Sequence, residues 1–431
     1  MTKRENELIG LLHREVKPAL GCTEPMAVAL ACAKAAELLG PQAGERFPDM
    51  DIEVSGNILK NGMGVGIPGT DKVGLHIAAA LGAICGNSRY GLEVLRNVEP
   101  AHVLKAKEMV RAGKVQVRVA EDVPLLYIKA TLRLGGSSAF AEIEGEHDRI
   151  VRTGKDGKVL PSGCNGTSSS CGEEKEIIDY HLTVKEIYSF TGSAAYDDIK
   201  FILADRDLNL ALAEAGLSNR YGLGVGKAIR ENRNGVFGDD FMSYAMALTA
   251  AASDARMAGC KLPAMSNSGS GNQGITVSMP VIAYALRYAI DDERLARALI
   301  LSNLVAIHIK GYLGRLSALC GCVVASTGSA CGLVWLRGGT YGQVCAAIKN
   351  MIGNITGMVC DGAKVGCAMK VASGVSCAVQ SAMLALDGIC VSETDGIIDK
   401  DIEKTIRNLG SIGSSGMQST DRLIQEIMVC K

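Results

Sequence analysis

The sequence predicts an α+β fold that is predominantly α-helical, with a mixed α/β N-terminal region and a small sheet. Three observations support this. From about residue 114 to 155 apolar and polar side chains alternate, as in half-exposed strands, and residues 50–54 show a shorter strand pattern. From residue 183 onward, apolar residues recur at helical spacing. We expect N-terminal helices with a GCTEP loop packed on the helical domain (1–45), a mixed α/β domain (46–182) and an all-helical cluster-binding domain (183–431).

The N-terminal half predicts alternating helices, turns and strands. Residues 1–40 indicate two helices around a break at 17–25, and residues 55–70 indicate a glycine-rich turn. A buried helix is expected at 73–85 and a more polar helix at 100–112. The β-branched segments that follow predict strands at VQVRVA, LLYIKATLRL and AFAEIEG, then a turn at 154–160 and a polar loop at 161–174.

The C-terminal half predicts helices throughout. Clear helical periodicity occurs at 205–216, 241–259, 291–308 and 420–429. The apolar stretches 275–290 and 323–336 are too short, or too interrupted by Pro280 and Arg287, to predict membrane spans. They are expected to be core helices.

Composition excludes several functional classes. The chain has 431 residues, 48% of them hydrophobic, and a formal net charge of −1, so no basic surface predicts binding to nucleic acid or a membrane. The N-terminus is typical of an amphipathic helix and not of a signal peptide, which predicts a cytoplasmic protein. Disulfides are rare in the cytoplasm. Most of the 15 cysteines are therefore expected to be buried apolar side chains, with a few available as metal ligands or catalytic groups.

One candidate is Cys22, in the segment KPALGCTEPMAVALAC. Pro25 and the alanine-rich run mark a helix start, with Thr23 the expected N-cap. The helix dipole at this position favours a thiolate. Cys22 is therefore predicted to act as a nucleophile, a metal ligand or a general base, the alternative being a cysteine that fits a tight turn.

Further candidates lie in the segments LCGCVVASTGSACG and MVCDGAKVGCAMK. Cys360 and Cys367 flank a glycine-containing turn that can direct both sulfurs at one centre, and Cys320, Cys322 or Cys331 is available as a third ligand. Thiolates hold iron–sulfur clusters, and three ligands would leave one iron open. Zinc is a rival interpretation, although no CxxC pair is present and no histidine lies near these cysteines.

Two polar, glycine-rich loops predict a binding site for a small anion such as a carboxylate. The first, LPAMSNSGSGNQG, precedes an apolar helix and offers backbone N–H groups. The second, SGNILKNGMGVGIPGT, contains a G-x-G-x-x-G frame, but no strand leads directly into it and Pro68 interrupts it, which argues against a dinucleotide site. The candidate substrate-binding residues of the two loops are Ser55, Asn57, Asn61, Asn267, Ser268, Ser270 and Asn272.

Six segments together, in this order along nearly the whole chain, resemble the L-cysteine desulfidase family, which is related to the iron–sulfur L-serine dehydratase α-domain. They are GCTEP, SGNILKNGMGVGIPGT, SDARMAG, LPAMSNSGSGNQG, RLSALC and CDGAKVGCAMK. The resemblance implies a [4Fe–4S] cluster, no pyridoxal phosphate, and conversion of L-cysteine to pyruvate, ammonia and hydrogen sulfide. It implies cluster ligation by Cys320, Cys360 and Cys367, and Cys22 close to the cluster as the base or an alternative ligand.

Alternatives remain at this level. Cys322 competes with Cys320 within LCGC, and L-serine competes with L-cysteine as the substrate. A cluster-bearing sensor without turnover and a helical protein with inert cysteines are the other interpretations. The expected partner is a small amino acid, and association with further copies of the chain is left open.

Overall fold

The computed structural model describes residues 2–40, 47–160, 180–314 and 316–430. Over these residues the chain is predominantly helical, with one sheet in its N-terminal half, which confirms the predicted α+β class. The loop predicted at 161–174 lies outside the described residues.

The N-terminal half contains five helices and seven strands among its described residues. Two helices flank the predicted break, and Cys22 rather than Thr23 occupies the N-cap of the second. In chain order the elements are α1 (Lys3–Glu15), β1 (Val16–Leu20), α2 (Thr23–Leu39), β2 (Asp49–Val54), α3 (Gly56–Gly62), α4 (Leu75–Cys85), α5 (Pro100–Arg111), β3 (Val115–Val119), β4 (Tyr127–Leu134), β5 (Ser137–Glu144), β6 (Ile150–Lys155) and β7 (Lys158–Leu160).

Six strands form one sheet in the order β3-β2-β4-β5-β6-β7. β2 and β3 are parallel, and the other neighbours are antiparallel. The expected turn at 154–160 joins β6 to β7, with Lys155 opposite Lys158. Helix α2 packs on β4 and β5 on one side and on α4 on the other, so it lies inside the α/β core.

The C-terminal half is helical apart from one strand among the described residues. Its elements are α6 (Val184–Ser193), α7 (Tyr196–Ile199), α8 (Ala204–Ser218), α9 (Val225–Glu231), α10 (Phe241–Met257), β8 (Pro263–Asn267), α11 (Gly271–Tyr288), α12 (Asp292–Leu313), α13 (Gly321–Leu336), α14 (Tyr341–Ile355), α15 (Cys367–Leu386), α16 (Ile402–Ser411) and α17 (Gln418–Val429).

Two hydrophobic cores result. One lies among the helices that follow residue 180 and includes the inner face of α1, and the other lies between α2, α4 and the large sheet. Helix α15 is long and apolar enough to cross a membrane by length and composition, but half of that stretch is buried within the protein, as in a core helix. The division into 1–45, 46–182 and 183–431 stays a prediction about folding units.

Two predictions about local structure were wrong. The stretch 55–70 was expected to be a turn, but Ser55 caps a short helix, α3, by accepting a hydrogen bond from the Ile58 N–H. The segment 263–267 was expected to be part of a polar loop, but it forms β8, which pairs antiparallel with β1. This two-stranded sheet ties the break before α2 to the start of α11.

Candidate functional site

Three predicted cysteine ligands converge because two loops pair with each other. Leu319 and Val359 form an antiparallel bridge, flanked by bonds from Cys320 N to Met358 O at 2.9 Å and from Cys360 N to Ala318 O at 2.6 Å. Cys320 is the N-cap of α13, and Cys367 is the first residue of α15. Because α13 and α15 pack together, the three cysteines lie at one end of the helical core.

The three sulfurs share one cavity of about 110 Å³ with Cys22. Its wall includes Cys22, Thr23, Glu24, Asn61, Arg256, Met257, Ser270, Asn272, Gln273, Lys310, Leu316, Ser317, Leu319, Cys320, Gly321, Cys322, Cys360, Gly362, Ala363, Cys367, Lys370 and Val371. A small apolar cluster centred on Cys22 and Met257 packs against Cys367. The cavity therefore lies where the α/β core meets the helical core.

Helix α3 reaches the cavity through a close backbone approach. Gly362 has a φ of +89°, and a Cβ at this position would lie 2.4 Å from the Lys60 carbonyl oxygen. A side chain at residue 362 would separate the cysteine loop from α3. This contact places Asn61 on the cavity wall beside the cysteine loop.

The raised pKa values of the cysteine thiols are compatible with a bound, positively charged group. Burial and the neighbouring Cys360 raise the pKa of the Cys320 thiol to about 12, and burial also raises the pKa of Cys367. Thiols in such a setting ionise when a metal centre supplies positive charge.

Three cysteines on one cavity have the donor chemistry of an iron–sulfur cluster, whose usual ligands are thiolates. Among the described residues, no three His, Cys, Asp or Glu side chains form a group that could hold one metal ion.

Cys320 and Cys322 differ in their surroundings. The Cys322 thiol is buried and donates to the Lys370 carbonyl at 3.2 Å, a bond that occupies its sulfur. Cys320 is half-buried and interacts electrostatically with both Cys360 and Cys367. Cys320 is the better placed of the two to complete a ligand set.

Cys22 is held as a thiol and not as the thiolate that its helix position predicts. Burial raises the pKa of Cys22 well above its usual range, and the Glu24 carboxylate raises it further, so burial outweighs the helix dipole. The Cys22 thiol donates to Glu24 Oε2 at 3.0 Å. Burial opposes ionisation of Glu24, but nearby His147 and this hydrogen bond lower its pKa overall.

The structure separates the predicted substrate-binding residues into three groups. Asn61, Ser270 and Asn272 line the cavity with the cysteines. Asn267 and Ser268 do not line it. Asn267 is buried in a network in which its side chain donates to Asn303 and accepts from Ser268 and Gln273.

Ser55 and Asn57 line a neighbouring, larger cavity of about 760 Å³, which shares Leu316 and Ser317 with the cysteine cavity. The Ser55 hydroxyl donates to the Leu125 carbonyl at 2.6 Å, in keeping with its role as the cap of α3. These two residues therefore lie beside the cysteine cavity and not in its wall.

Sequence reasoning missed Glu24, Arg256 and Gln273 as cavity residues. Each stood within a recognised segment, GCTEP, SDARMAG or LPAMSNSGSGNQG, but nothing local distinguished it from its neighbours. Arg256 is 2% exposed and Gln273 is 1% exposed, and burial of such polar side chains is the signal that only the fold supplies.

A sequence model described as the serine dehydratase alpha chain matches residues 89–425. The chain belongs to the serine dehydratase alpha chain family. The matched region contains all three converging cysteines, and the predicted relationship to the serine dehydratase α-domain is confirmed. Membership assigns the chain to a family of lyase-type enzymes.

Full-length relatives carry the name UPF0597 protein. One from Oleidesulfovibrio alaskensis is 53% identical, over 98% of this chain and 97% of its own length. One from Bacteroides fragilis is 48% identical over 100% of both chains, and one from Alkaliphilus oremlandii is 43% identical over 98% of both. The similarity thus includes the N-terminal segment with Cys22, which precedes the matched family region.

Proposed function

We propose that the protein is a β-eliminating lyase that converts L-cysteine to pyruvate, ammonia and hydrogen sulfide, without pyridoxal phosphate and in the cytoplasm. The observation that carries the proposal is the convergence of Cys320, Cys360 and Cys367 with Cys22 on one cavity. Membership of the serine dehydratase alpha chain family supports an elimination reaction on a small amino acid.

In this proposal Cys320, Cys360 and Cys367 hold a [4Fe–4S] cluster. When bound, the cluster supplies an open iron that acts as a Lewis acid toward the leaving sulfur of the substrate. The ligands come from two helix starts and one paired loop, which are well-supported backbone positions. Asn61, Ser270 and Asn272, which line the same cavity, are proposed to contact the substrate.

Cys22 and Glu24 are proposed to move the Cα proton. The Cys22 thiol already donates to Glu24, and transfer of this proton to the carboxylate, which the pKa shifts of both groups oppose in the substrate-free site, leaves a thiolate in the cavity. The thiolate then accepts the Cα proton as the Cα–H bond breaks. The electron pair forms the Cα=Cβ bond, and the Cβ–S bond breaks with the sulfur keeping its electrons.

The remaining steps balance with one water. The departing hydrosulfide takes up the proton held by Glu24, which restores the carboxylate, and leaves as hydrogen sulfide. The aminoacrylate product tautomerises to an imine, which water hydrolyses to pyruvate and ammonia.

L-serine is the second candidate substrate. The description of the matching family names serine dehydratase, and the same steps with water as the leaving group convert serine to pyruvate and ammonia. Iron accepts oxygen as well as sulfur, so the ligand set is compatible with both substrates.

The experiment is to purify the protein without oxygen and measure pyruvate formed from L-cysteine and L-serine at equal concentrations. We expect faster turnover of cysteine, with hydrogen sulfide and pyruvate in equal amounts. Faster turnover of serine would identify a serine dehydratase. A coloured, iron-containing protein that forms no pyruvate from either would support a sensor instead.

A matched pair of variants tests the ligand set. Cys360→Ala should lose iron and activity together. Cys331→Ala removes a fully buried cysteine from α13 that does not line the cavity, and should keep both. Iron bound equally by both variants would contradict the proposed ligation.

A further inference from the structure

Two buried polar atoms in the cysteine cavity have no hydrogen-bond partner among the described residues. They are Nε of Arg256 and Oε1 of Gln273. One is a donor and the other an acceptor. Buried polar groups are normally satisfied, so a complementary pair left open on one cavity indicates a ligand with one anionic and one cationic end.

Arg256 carries a buried positive charge with no ion pair within 4 Å among the described residues, although the nearby Glu24 carboxylate interacts with it electrostatically. Its Nη1 donates to Asn272 Oδ1 at 3.1 Å and approaches Met257 Sδ at 3.4 Å, and both contacts are to neutral groups. The backbone at Gly271 makes room for it, since a Cβ there would lie 2.2 Å from Arg256 Nε. An unpaired buried charge is costly, and an arriving carboxylate would pair with the planar guanidinium.

Gln273 presents its free oxygen on the cluster side of the cavity. Its Nε2 donates to Asn267 Oδ1 at 2.8 Å, which fixes the amide so that Oε1 is the open end. A Cβ on Gly321 would lie 3.1 Å from this oxygen, so it faces the turn between Cys320 and Cys322. An amide oxygen accepts readily from an ammonium group.

We propose that Arg256 binds the carboxylate and Gln273 binds the ammonium of an α-amino acid, so that this cavity selects zwitterionic α-amino acids. The inference rests on the proposed action on an amino acid and adds the groups that select its common part. Asn272, which is also proposed to contact the substrate, accepts from Arg256 Nη1 and so helps to hold the guanidinium in place.

The test uses three probes that share a thiol. L-Cysteine has both charged ends, 3-mercaptopropionate lacks the ammonium and cysteamine lacks the carboxylate. Affinities come from thermal shift and from competition against turnover, on iron-loaded protein of equal iron content. Arg256→Gln should weaken L-cysteine and 3-mercaptopropionate by about 10- to 100-fold and leave cysteamine unchanged. Gln273→Leu should weaken L-cysteine and cysteamine and leave 3-mercaptopropionate unchanged.

The controls separate this inference from the proposed function. Arg297→Gln removes an arginine that binds Glu293 and the Thr191 carbonyl outside the cavity, and should leave all three affinities unchanged. Arg256→Lys keeps the positive charge but lacks the paired N–H donors of the guanidinium, so it should weaken the affinities for the same probes by a smaller factor. Equal weakening of all probes, or none, by Arg256→Gln would overturn the inference. The expected pattern in a protein that makes no pyruvate would overturn the lyase proposal alone.

Discussion

At the residue scale, the helix position of Cys22 and its burial favour different protonation states. The start of α2 favours a thiolate, but complete burial beside a carboxylate favours the thiol. The hydrogen bond to Glu24 links the two, because the thiol keeps its proton and donates it toward a carboxylate that can accept it. Glu24 is therefore as important to the proposed proton transfer as the cysteine.

Replacing Glu24 with glutamine tests this pairing. Glutamine keeps the size of the side chain but does not take the Cys22 proton, so kcat should fall by about 10²- to 10⁴-fold, with iron content unchanged. The measurement is anaerobic pyruvate formation together with iron analysis. Glu37→Gln, which changes a carboxylate on the same helix that bonds Ser88, should keep full activity. Unchanged kcat in Glu24→Gln would remove Glu24 from the mechanism.

Asp205 predicts a pH effect on stability. Burial raises its pKa from 3.8 to about 7, although the Asn303 hydrogen bond lowers it in part. Because the folded pKa is raised above the unfolded value, the protonated form contributes stability that is full below pH 4 and is lost as pH rises toward 7. The loss amounts to roughly 4 kcal/mol at most.

Asp205→Asn is neutral at every pH and should remove this dependence. The variant should be more stable than the wild type at pH 8, and the difference should shrink toward pH 5. Denaturant unfolding at the two pH values measures it. A difference that does not change with pH would show that Asp205 does not titrate in this range.

At the element scale, the terminal helix α17 is tied to α3 by a buried ion pair. Lys60 Nζ lies 2.5 Å from Asp421 Oδ1, and the Lys60 side chain is 1% exposed. Gln425 donates to the other Asp421 oxygen at 2.9 Å, which holds the carboxylate in place. Since α3 also carries Asn61 to the cavity, the docking of α17 supports one wall of the site.

Asp421→Asn should loosen this docking. It leaves the buried Lys60 ammonium without its carboxylate, and breaking such a pair costs about 3–5 kcal/mol. The loss of stability cannot exceed the free energy of undocking α17, because release of the helix exposes Lys60 to water. Hydrogen exchange should speed up across 418–429 and 56–62. The matched control is Asp197→Asn, which breaks an exposed pair with Lys200 and should change nothing measurable. Unchanged exchange in α17 would show that the ion pair does not hold it.

At the scale of the whole molecule, the sequence patterns predicted helices and strands more accurately than they predicted the contacts between them. Amphipathic periodicity placed α4, α5 and most later helices, and alternation placed β2 to β5, because both patterns are local. β1 and β8 were missed because each contains a proline, which argues against a strand, and its partner is distant in the chain. α3 was missed because glycines at both of its ends resemble a turn.

The same difference between local pattern and tertiary contact holds for the candidate site. The cysteines and Asn61, Ser270 and Asn272 were identified from residue type and segment, and the fold brings them to one cavity. Ser55 and Asn267 belonged to the same polar loops, yet one caps a helix and the other joins a buried network. Arg256 and Gln273 depend on which buried groups remain unsatisfied, and this depends on the packing of three helices and not on local sequence.

Thiol reactivity across the whole chain tests the proposed cluster against the fold. Cys390 and Cys430 are exposed and should react with an alkylating reagent in every state, whereas Cys32 and Cys331 are fully buried and should react only after unfolding. Cys320, Cys360 and Cys367 should be protected in iron-loaded protein and become reactive when a chelator removes the iron, while the buried pair stays inert. Peptide mapping by mass spectrometry reports each site separately. Equal labelling of the three cysteines before and after chelation would show that they do not hold the iron, and labelling of Cys32 and Cys331 on chelation would show that iron loss unfolds the protein.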